Sequence, residues 1–292
     1  EALAFFRDPS FAKRRFNRLG NVFETSMLGQ PMVFIQGDKA IADLLSQPEA
    51  IEGWWPASVQ QLLGSHSLAN RNGAPHKARR RVVAQLFSSS ALQRYSPGMI
   101  NLIDELGKEL KTAKAPLPLA EKMRRFAFSV IATTVLGMEG NDRDKLFSDF
   151  EIWTKALFSI PIALPGSPFA KALKARKRLL KRLQEILSNP INSKGGLDLL
   201  AGSLDEAGIP LTDQDLGEQL LLLLFAGYET TASALSCLMR ELLLKPQIET
   251  WLREEINTLD WPPSLEQVTM VYSPNNAPRL DALVKEVMRF NP

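Results

Sequence analysis

Apolar side chains recur every three to four positions along most of the chain, the spacing that buries one face of an α-helix. Two β-prone runs, 22–28 and 32–36, are joined by Gly29-Gln30-Pro31 and indicate a β-hairpin. The segment 52–71 is rich in Trp, Gly, Ser and Asn, and we predict a long ordered loop there. Helices are predicted at about residues 9–19, 38–47, 75–87, 97–113, 119–136, 143–158, 169–187, 212–244, 247–259 and 278–290.

The longest predicted helix has clear signals at both ends. Thr212, followed three residues later by Asp215, resembles a capping box, and Pro246 stops a helix near Leu244. About 32 residues at 1.5 Å each give a length of roughly 48 Å, more than a surface helix needs. Its most apolar stretch, residues 220–227, is much shorter than the roughly 20 residues of a membrane span. We therefore predict a helix through the middle of the domain and no membrane span.

Length and composition favour one large folded domain. The 292 residues are 45% hydrophobic, and no repeat, low-complexity tract or linker divides them. We expect a single, mostly α domain with a small β portion over residues 1–292. Lysine and arginine exceed aspartate and glutamate by only 35 to 32, and no nucleic-acid-binding motif accompanies this excess. No nucleic-acid partner is expected.

Cysteine and histidine are scarce. The one cysteine, Cys237, excludes an intramolecular disulfide framework and a cysteine-rich zinc site. The two histidines, His66 and His76, do not favour a histidine-based metal site. The opening EALAFFRDPSFAKRRF carries charges throughout and lacks the apolar run of a signal peptide. These features are typical of a cytoplasmic protein.

The string Ala226-Gly-Tyr-Glu-Thr-Thr231 is unusual inside a helix. Gly227 costs about 1 kcal/mol relative to alanine there, and Glu229 follows a run of leucines where an unpaired charge is expensive. The hydroxyl of Thr230 can bond the carbonyl of Ala226, four residues back, which tends to bend a helix. Two interpretations stay open. The string forms a groove with a hydroxyl and a carboxylic acid, or its small residues allow close packing of another helix.

Two further pairs have helical spacing. Glu286 and Arg289, in Glu-Val-Met-Arg, lie three residues apart and can form an ion pair, although such pairs arise by chance in many helices. His76 and Arg80 lie one turn apart on one face, and arginine offers a bidentate fork to a carboxylate. Taken alone, His76 is better interpreted as an N-terminal helix residue satisfied by the backbone.

Together, these motifs resemble the cytochrome P-450 family. Ala226 to Thr231 matches the family pattern Ala/Gly-Gly-x-Asp/Glu-Thr-Thr/Ser at every fixed position. The Glu286-x-x-Arg289 pattern and the His76-x-x-x-Arg80 pattern occur in the family's order. The resemblance covers essentially the whole chain and implies a cytochrome P-450 fold that binds haem b. The implied activity is a monooxygenase that takes O2 and two electrons from a ferredoxin- or reductase-type donor.

The resemblance also implies roles for individual residues. Thr230 would be oxygen-activating and Glu229 a proton relay. Ala226 and Gly227 would contact the cofactor, with Gly227 leaving room for oxygen. His76 and Arg80 would contact the haem propionates. Glu286 and Arg289 would form a structural ion pair in a buried network.

Two aromatic-rich segments, 53–64 and 158–165, resemble the retinoid-hydroxylating branch of the family, which includes cyanobacterial members. In the family these segments roof the substrate pocket. The resemblance therefore implies that Trp55 and Phe158 line a pocket for an extended lipophilic substrate such as a retinoid or apocarotenoid. The alternative is that both aromatics are ordinary core residues.

The family's iron is held by a cysteine thiolate that follows the Glu-x-x-Arg helix. This chain ends three residues after Arg289, and Cys237 lies on the face of Thr230, about 10.5 Å along the helix, so it cannot reach the opposite side of a haem. We expect a fold truncated after the Glu-x-x-Arg helix, without the axial cysteine and inactive by itself. The alternative function is a non-catalytic remnant or a helical binding protein that keeps this part of the fold.

Overall fold

The computed structural model describes residues 2–27, 30–188, 195–259 and 275–291. The chain divides into two compact units, Glu1–Gly53 and Trp54–Pro292. The expectation of one domain over residues 1–292 stays a prediction.

The described residues of the first unit form α-helices and a hairpin: α1 (Ala2–Arg7), α2 (Phe11–Leu19), β1 (Val22–Met27), β2 (Gln30–Ile35) and α3 (Asp38–Leu45). The strands are antiparallel, with Val22 opposite Ile35 and Met27 opposite Gln30. Phe23 and Phe34 stack across the hairpin at 5.0 Å between ring centroids. The predicted hairpin is confirmed. Gln30 and Pro31 belong to β2, and Leu28 and Gly29 lie outside the described residues.

The second unit is helical in the part that the structure describes, apart from an isolated bridge between Leu204 and Pro210. The mostly α prediction with a small β portion is confirmed. The helices are α4 (Ala57–Leu63), α5 (Gly73–Ala84), α6 (Ser89–Thr112), α7 (Leu119–Thr134), α8 (Gly140–Thr154), α9 (Pro168–Leu187), α10 (Asp213–Leu244), α11 (Pro246–Ile256) and α12 (Pro278–Phe290).

Two sequence predictions about this unit were wrong. The segment 52–71 is not one loop, because it contains α4 and a 3-10 turn at Leu68–Asn70. The helix predicted from residue 97 begins at Ser89, because the Ser88 side chain accepts a hydrogen bond from the Ala91 amide and caps the helix. Pro97 lies inside this helix and does not start it.

The central helix α10 matches its predicted length and both predicted ends. The hydroxyl of Thr212 accepts a hydrogen bond from the Asp215 amide at 3.2 Å, and the helix ends at Leu244 before Pro246. Its N-terminal half lies in the main hydrophobic core, where Tyr228 packs against Phe150. By length and composition α10 is the one described helix that could cross a membrane, a test that buried core helices of soluble proteins also pass.

A buried polar cluster joins the start of α10 to three other segments. We define it as Arg79, Arg176, Asp215, Glu218 and Gln219. Arg176 of α9 donates to Glu218 at 2.5 Å and to the Leu62 carbonyl at 2.9 Å. The amides of His66 and Leu68 donate to Glu218 and Gln219, each at 2.8 Å. These bonds hold the segment 64–71 against α10 although few apolar side chains in it are buried.

Candidate functional site

Thr230 and Ala226 lie on one exposed face of α10. The Thr230 hydroxyl donates to the Ala226 carbonyl at 2.5 Å, as the sequence predicted. This bond commits the hydroxyl proton to the backbone and leaves the lone pairs of Oγ1 directed away from it. Thr230 therefore offers a fixed acceptor beside a backbone that carries only a methyl group at Ala226.

Gly227 lies where α7 approaches α10. A Cβ at this position would fall inside van der Waals contact of Ile131 Cδ1. The packing interpretation of this glycine is therefore supported, because the helices approach closely where it has no side chain. The role of Gly227 as a groove for oxygen stays a prediction.

Replacing Gly227 with valine is expected to destabilise the second unit by about 1–3 kcal/mol, because the larger side chain overpacks against Ile131. Chemical unfolding followed by tryptophan fluorescence measures this change. In an Ile131→Ala background the same replacement should cost clearly less, since contacting residues are not additive. An equal cost in both backgrounds would show that Ile131 is not the obstacle.

Glu229 points away from the leucines that precede it and pairs with Arg124 of α7. The guanidinium reaches both carboxylate oxygens, with Nη2–Oε1 at 2.8 Å and Nε–Oε2 at 3.0 Å. The Glu229 side chain is 53% exposed, so water screens this pair. The hydrogen bond to Glu229 raises the pKa of Arg124. Sequence reasoning missed Arg124, because nothing in Met-Arg-Arg-Phe indicates which arginine meets α10.

A cleft of about 800 Å³ opens beside this ion pair, between α7, α8 and α10. Phe158 lines it and is 69% exposed. Tyr228 also lines it, and burial raises the pKa of its hydroxyl to about 12, helped by the charge of Glu151. Trp55 is absent from the lining: it is half-buried and packs against the hydrophobic core. The two aromatics predicted to line one pocket thus have different surroundings.

His76 and Arg80 lie on α5, where His76 is half-buried and Arg80 is exposed. Neither forms an ion pair with any residue that the structure describes. Lys77, Arg80, Arg81 and Ala84 line a shallow groove of about 510 Å³. Lys77, Arg80 and Arg81 have no carboxylate partner among the described residues, so this groove is compatible with the acidic propionates of haem.

Glu286 and Arg289 form the ion pair that their spacing predicted, through two hydrogen bonds of 2.7 Å. This mutual bonding lowers the pKa of Glu286 and raises that of Arg289. Both side chains are exposed, since α12 buries Leu283 and Val287 instead. The buried network around this pair stays a prediction.

Cys237 is half-buried and packs against a small apolar cluster of α11 and α12 that includes Leu252 and Leu283. This position agrees with the expected structural thiol. Among the residues that the structure describes, no group of three or more His, Cys, Asp or Glu side chains could hold a metal ion.

Comparisons with known proteins identify the family of this chain. The family model for cytochrome P-450 matches residues 9–292. A putative cytochrome P-450 120 of Synechocystis is 33% identical over 301 residues, covering 100% of this chain and 66% of that protein. Cytochrome P-450 26B1 of Danio rerio is 33% identical over 263 residues, covering 87% of this chain and 52% of that protein.

Solved structures show the same fold. The structure described as retinoic acid-bound cyanobacterial CYP120A1 matches with a TM-score of 0.85 and 32% identity, over 99% of this chain and 66% of that one. A mostly helical fold with an Ala-Gly-x-Glu-Thr-Thr segment in its long central helix is typical of one class of haem-binding proteins. The family match shows that the chain belongs to the cytochrome P-450 family. The chain spans between about half and two thirds of the length of these relatives.

Proposed function

We propose that this chain is part of a haem-dependent monooxygenase that hydroxylates a lipophilic, retinoid-like small molecule. The observation that carries the proposal is the fixed hydroxyl of Thr230, which lies on an exposed face of α10 next to Ala226. The retinoic acid in the description of the cyanobacterial structure supports the substrate class. The alternative, a non-catalytic remnant or helical binding protein, would give this hydroxyl no chemical role.

When bound, haem supplies the iron at which O2 is activated. The residues of this chain would hold the cofactor and position the water that supplies protons. Arg80 presents its guanidinium, and His76 a ring N–H donor, to the propionates. The Thr230 hydroxyl donates its hydrogen bond to the Ala226 carbonyl. Its Oγ1 therefore accepts a hydrogen bond from a water and fixes the position of that water. Water in the neighbouring cleft reaches the Glu229 carboxylate, which Arg124 holds in one orientation.

Substrate and electron donor follow from the same proposal. Phe158, exposed at the cleft, and Trp55, at the edge of the core, contribute apolar surface to the substrate region. Two electrons per turnover come from a ferredoxin- or reductase-type protein. The proposed cofactor is haem b, and Cys237 would not hold its iron. The proposed location is the cytoplasm.

Spectroscopy tests this proposal. In the haem-loaded, full-length protein, all-trans retinoic acid at micromolar concentration is expected to shift the spin state of the iron, seen as a change of the Soret band. A saturated fatty acid of similar length is the control ligand and should bind more weakly. A shift with the fatty acid and none with the retinoid would contradict the substrate class.

A cysteine variant tests the thiol assignment separately. In the full-length protein, Cys237→Ser should leave the reduced, carbon-monoxide-treated spectrum unchanged, because the thiol is packed against Leu252 and Leu283. A loss of the thiolate band in this variant would make Cys237 the ligand. A full-length protein that never takes up haem would favour the non-catalytic alternative.

A further inference from the structure

Helix α5 carries His76 and Arg80, the residues predicted to contact haem, but it buries few apolar side chains. Its buried side chains are Ala78, Val82 and Arg79. Two small apolar side chains contribute little burial energy, since such energy scales with the apolar area removed from water. Only Leu86, in the turn that follows the helix, adds a large buried side chain. Hydrophobic packing therefore defines the rotation of α5 about its axis poorly.

The third buried residue, Arg79, is 4% exposed and bridges two carboxylates. Its Nη2 donates to Asp215 Oδ2 at 2.8 Å, and its Nη1 bonds Glu206. Asp215 is equally buried and accepts a second bond from Gln219 at 3.0 Å. Burial acts to lower the pKa of Arg79, but the bonds and charges of Asp215 and Glu206 prevail and raise it.

This bridge is sensitive to the rotation of α5. Successive helix residues are about 100° apart, so a rotation of even half that angle would withdraw the Arg79 guanidinium from Asp215. The two buried charges would then lose their contact with each other, and losing one partner of a buried ion pair is among the most destabilising changes in a protein interior. Arg80 follows Arg79 directly, and His76 lies one turn before Arg80 on the same face. Whatever fixes the direction of Arg79 therefore fixes the direction of both.

We propose that Arg79 and Asp215 are positioning residues, which set the rotation of α5 against α10 so that His76 and Arg80 face the haem carboxylates. The inference rests on the proposed function for its ligand. Buried ion pairs that specify geometry more than stability have precedent as register devices. The fork of arginine suits this role, because a lysine ammonium cannot bridge Glu206 and Asp215 in one plane.

The experiment separates rotation from stability. Spin labels are placed at Lys77→Cys on α5 and Lys174→Cys on α9, both exposed, in a Cys237→Ser background. Their distance distribution is then measured by electron–electron double resonance. The double variant Arg79→Met/Asp215→Leu replaces the charge pair by apolar side chains, which often preserves the stability of a buried site. We expect a narrow distribution in the parent and one at least about twice as broad in this double variant.

Single variants and a matched pair provide the controls. Arg79→Met alone leaves the buried Asp215 carboxylate without its arginine partner. Amide exchange in α5 should therefore accelerate about 100- to 1,000-fold. Arg79→Lys should recover part of this protection. Arg94 and Asp198 form a pair with the same 2.8 Å distance but exposed side chains, so Arg94→Met should change neither readout.

The outcomes distinguish the inference from the proposed function. A narrow, unshifted distribution in the folded double variant would overturn the inference, because packing alone would then set the rotation of α5. Haem uptake is measured in parallel on the same variants of the full-length protein. Failure of the full-length parent to bind haem would contradict the proposed function, while the spin-label distances would still decide whether Arg79 and Asp215 orient α5. If the inference holds, the double variant binds haem at least about tenfold more weakly than the parent.

Discussion

Replacing Thr230 with alanine is expected to slow hydroxylation by roughly 10²–10⁴-fold in the haem-loaded, full-length protein, the usual cost of losing one positioned proton-transfer group. The variant lacks the Oγ1 acceptor that the bond to Ala226 holds in place. The water that this oxygen fixes would no longer deliver its proton to one site. Reductant consumption should continue, and the electrons should appear as hydrogen peroxide instead of product.

The measurement is the ratio of hydroxylated product and of peroxide to reductant consumed. Thr230→Ser keeps a hydroxyl and should retain most of the product yield. Thr231→Ala is the matched control, because Thr231 is also exposed but lies about 100° further around α10. An unchanged product yield per electron in Thr230→Ala would remove this residue from the proposed role.

Features of the fold that depend on neighbouring residues could be predicted from the sequence. The two ends of α10 follow from the Thr212 cap and from Pro246, and α12 has the predicted bounds Pro278–Phe290. The bond from Thr230 to Ala226 also follows, because a helix always places these two groups together. Such signals act within one turn, where the geometry of a helix is known in advance.

Features that depend on distant residues could not be predicted in this way. Glu229 finds Arg124 on another helix, 105 residues away. The loop prediction for 52–71 missed α4 because its buried stripe, Val59, Leu62 and Leu63, fills barely two turns. The order of the segment 64–71 comes from carboxylates and a carboxamide of α10, about 150 residues later in the chain.

For the candidate site the motifs identified the residues but not their surroundings. Gly227 was equally compatible with a groove and with helix packing, and only the position of Ile131 supports the second interpretation. Phe158 and Trp55 share a composition typical of a pocket, but one is exposed at a cleft and the other packs on the core. Side-chain direction depends on how helices pack together, which a single sequence does not contain.

Gly64 links the end of α4 to the buried polar cluster, and its replacement by alanine is expected to have the largest effect on stability. Its φ of +97° with ψ of 161° lies in a region that is essentially restricted to glycine, so alanine costs about 1–3 kcal/mol in backbone strain alone. A Cβ there would also collide with the Arg176 guanidinium and the Glu218 carboxylate, which are hydrogen-bonded at 2.5 Å. Separating this buried pair adds about 3–5 kcal/mol.

Gly20 is the matched control for this prediction. It has nearly the same backbone conformation, φ +93° and ψ −171°, but a Cβ there would meet nothing within 4 Å. Gly20→Ala should therefore show the strain cost alone, about 1–3 kcal/mol, in its own unit.

Hydrogen exchange, read locally around each glycine, measures the free energy of opening in both units. Gly64→Ala should also expose the amides of His66 and Leu68, because their acceptors on α10 move with Glu218. Equal costs at the two glycines would show that Arg176 and Glu218 can move apart without a loss of stability. The segment 64–71 would then be held by something other than this cluster.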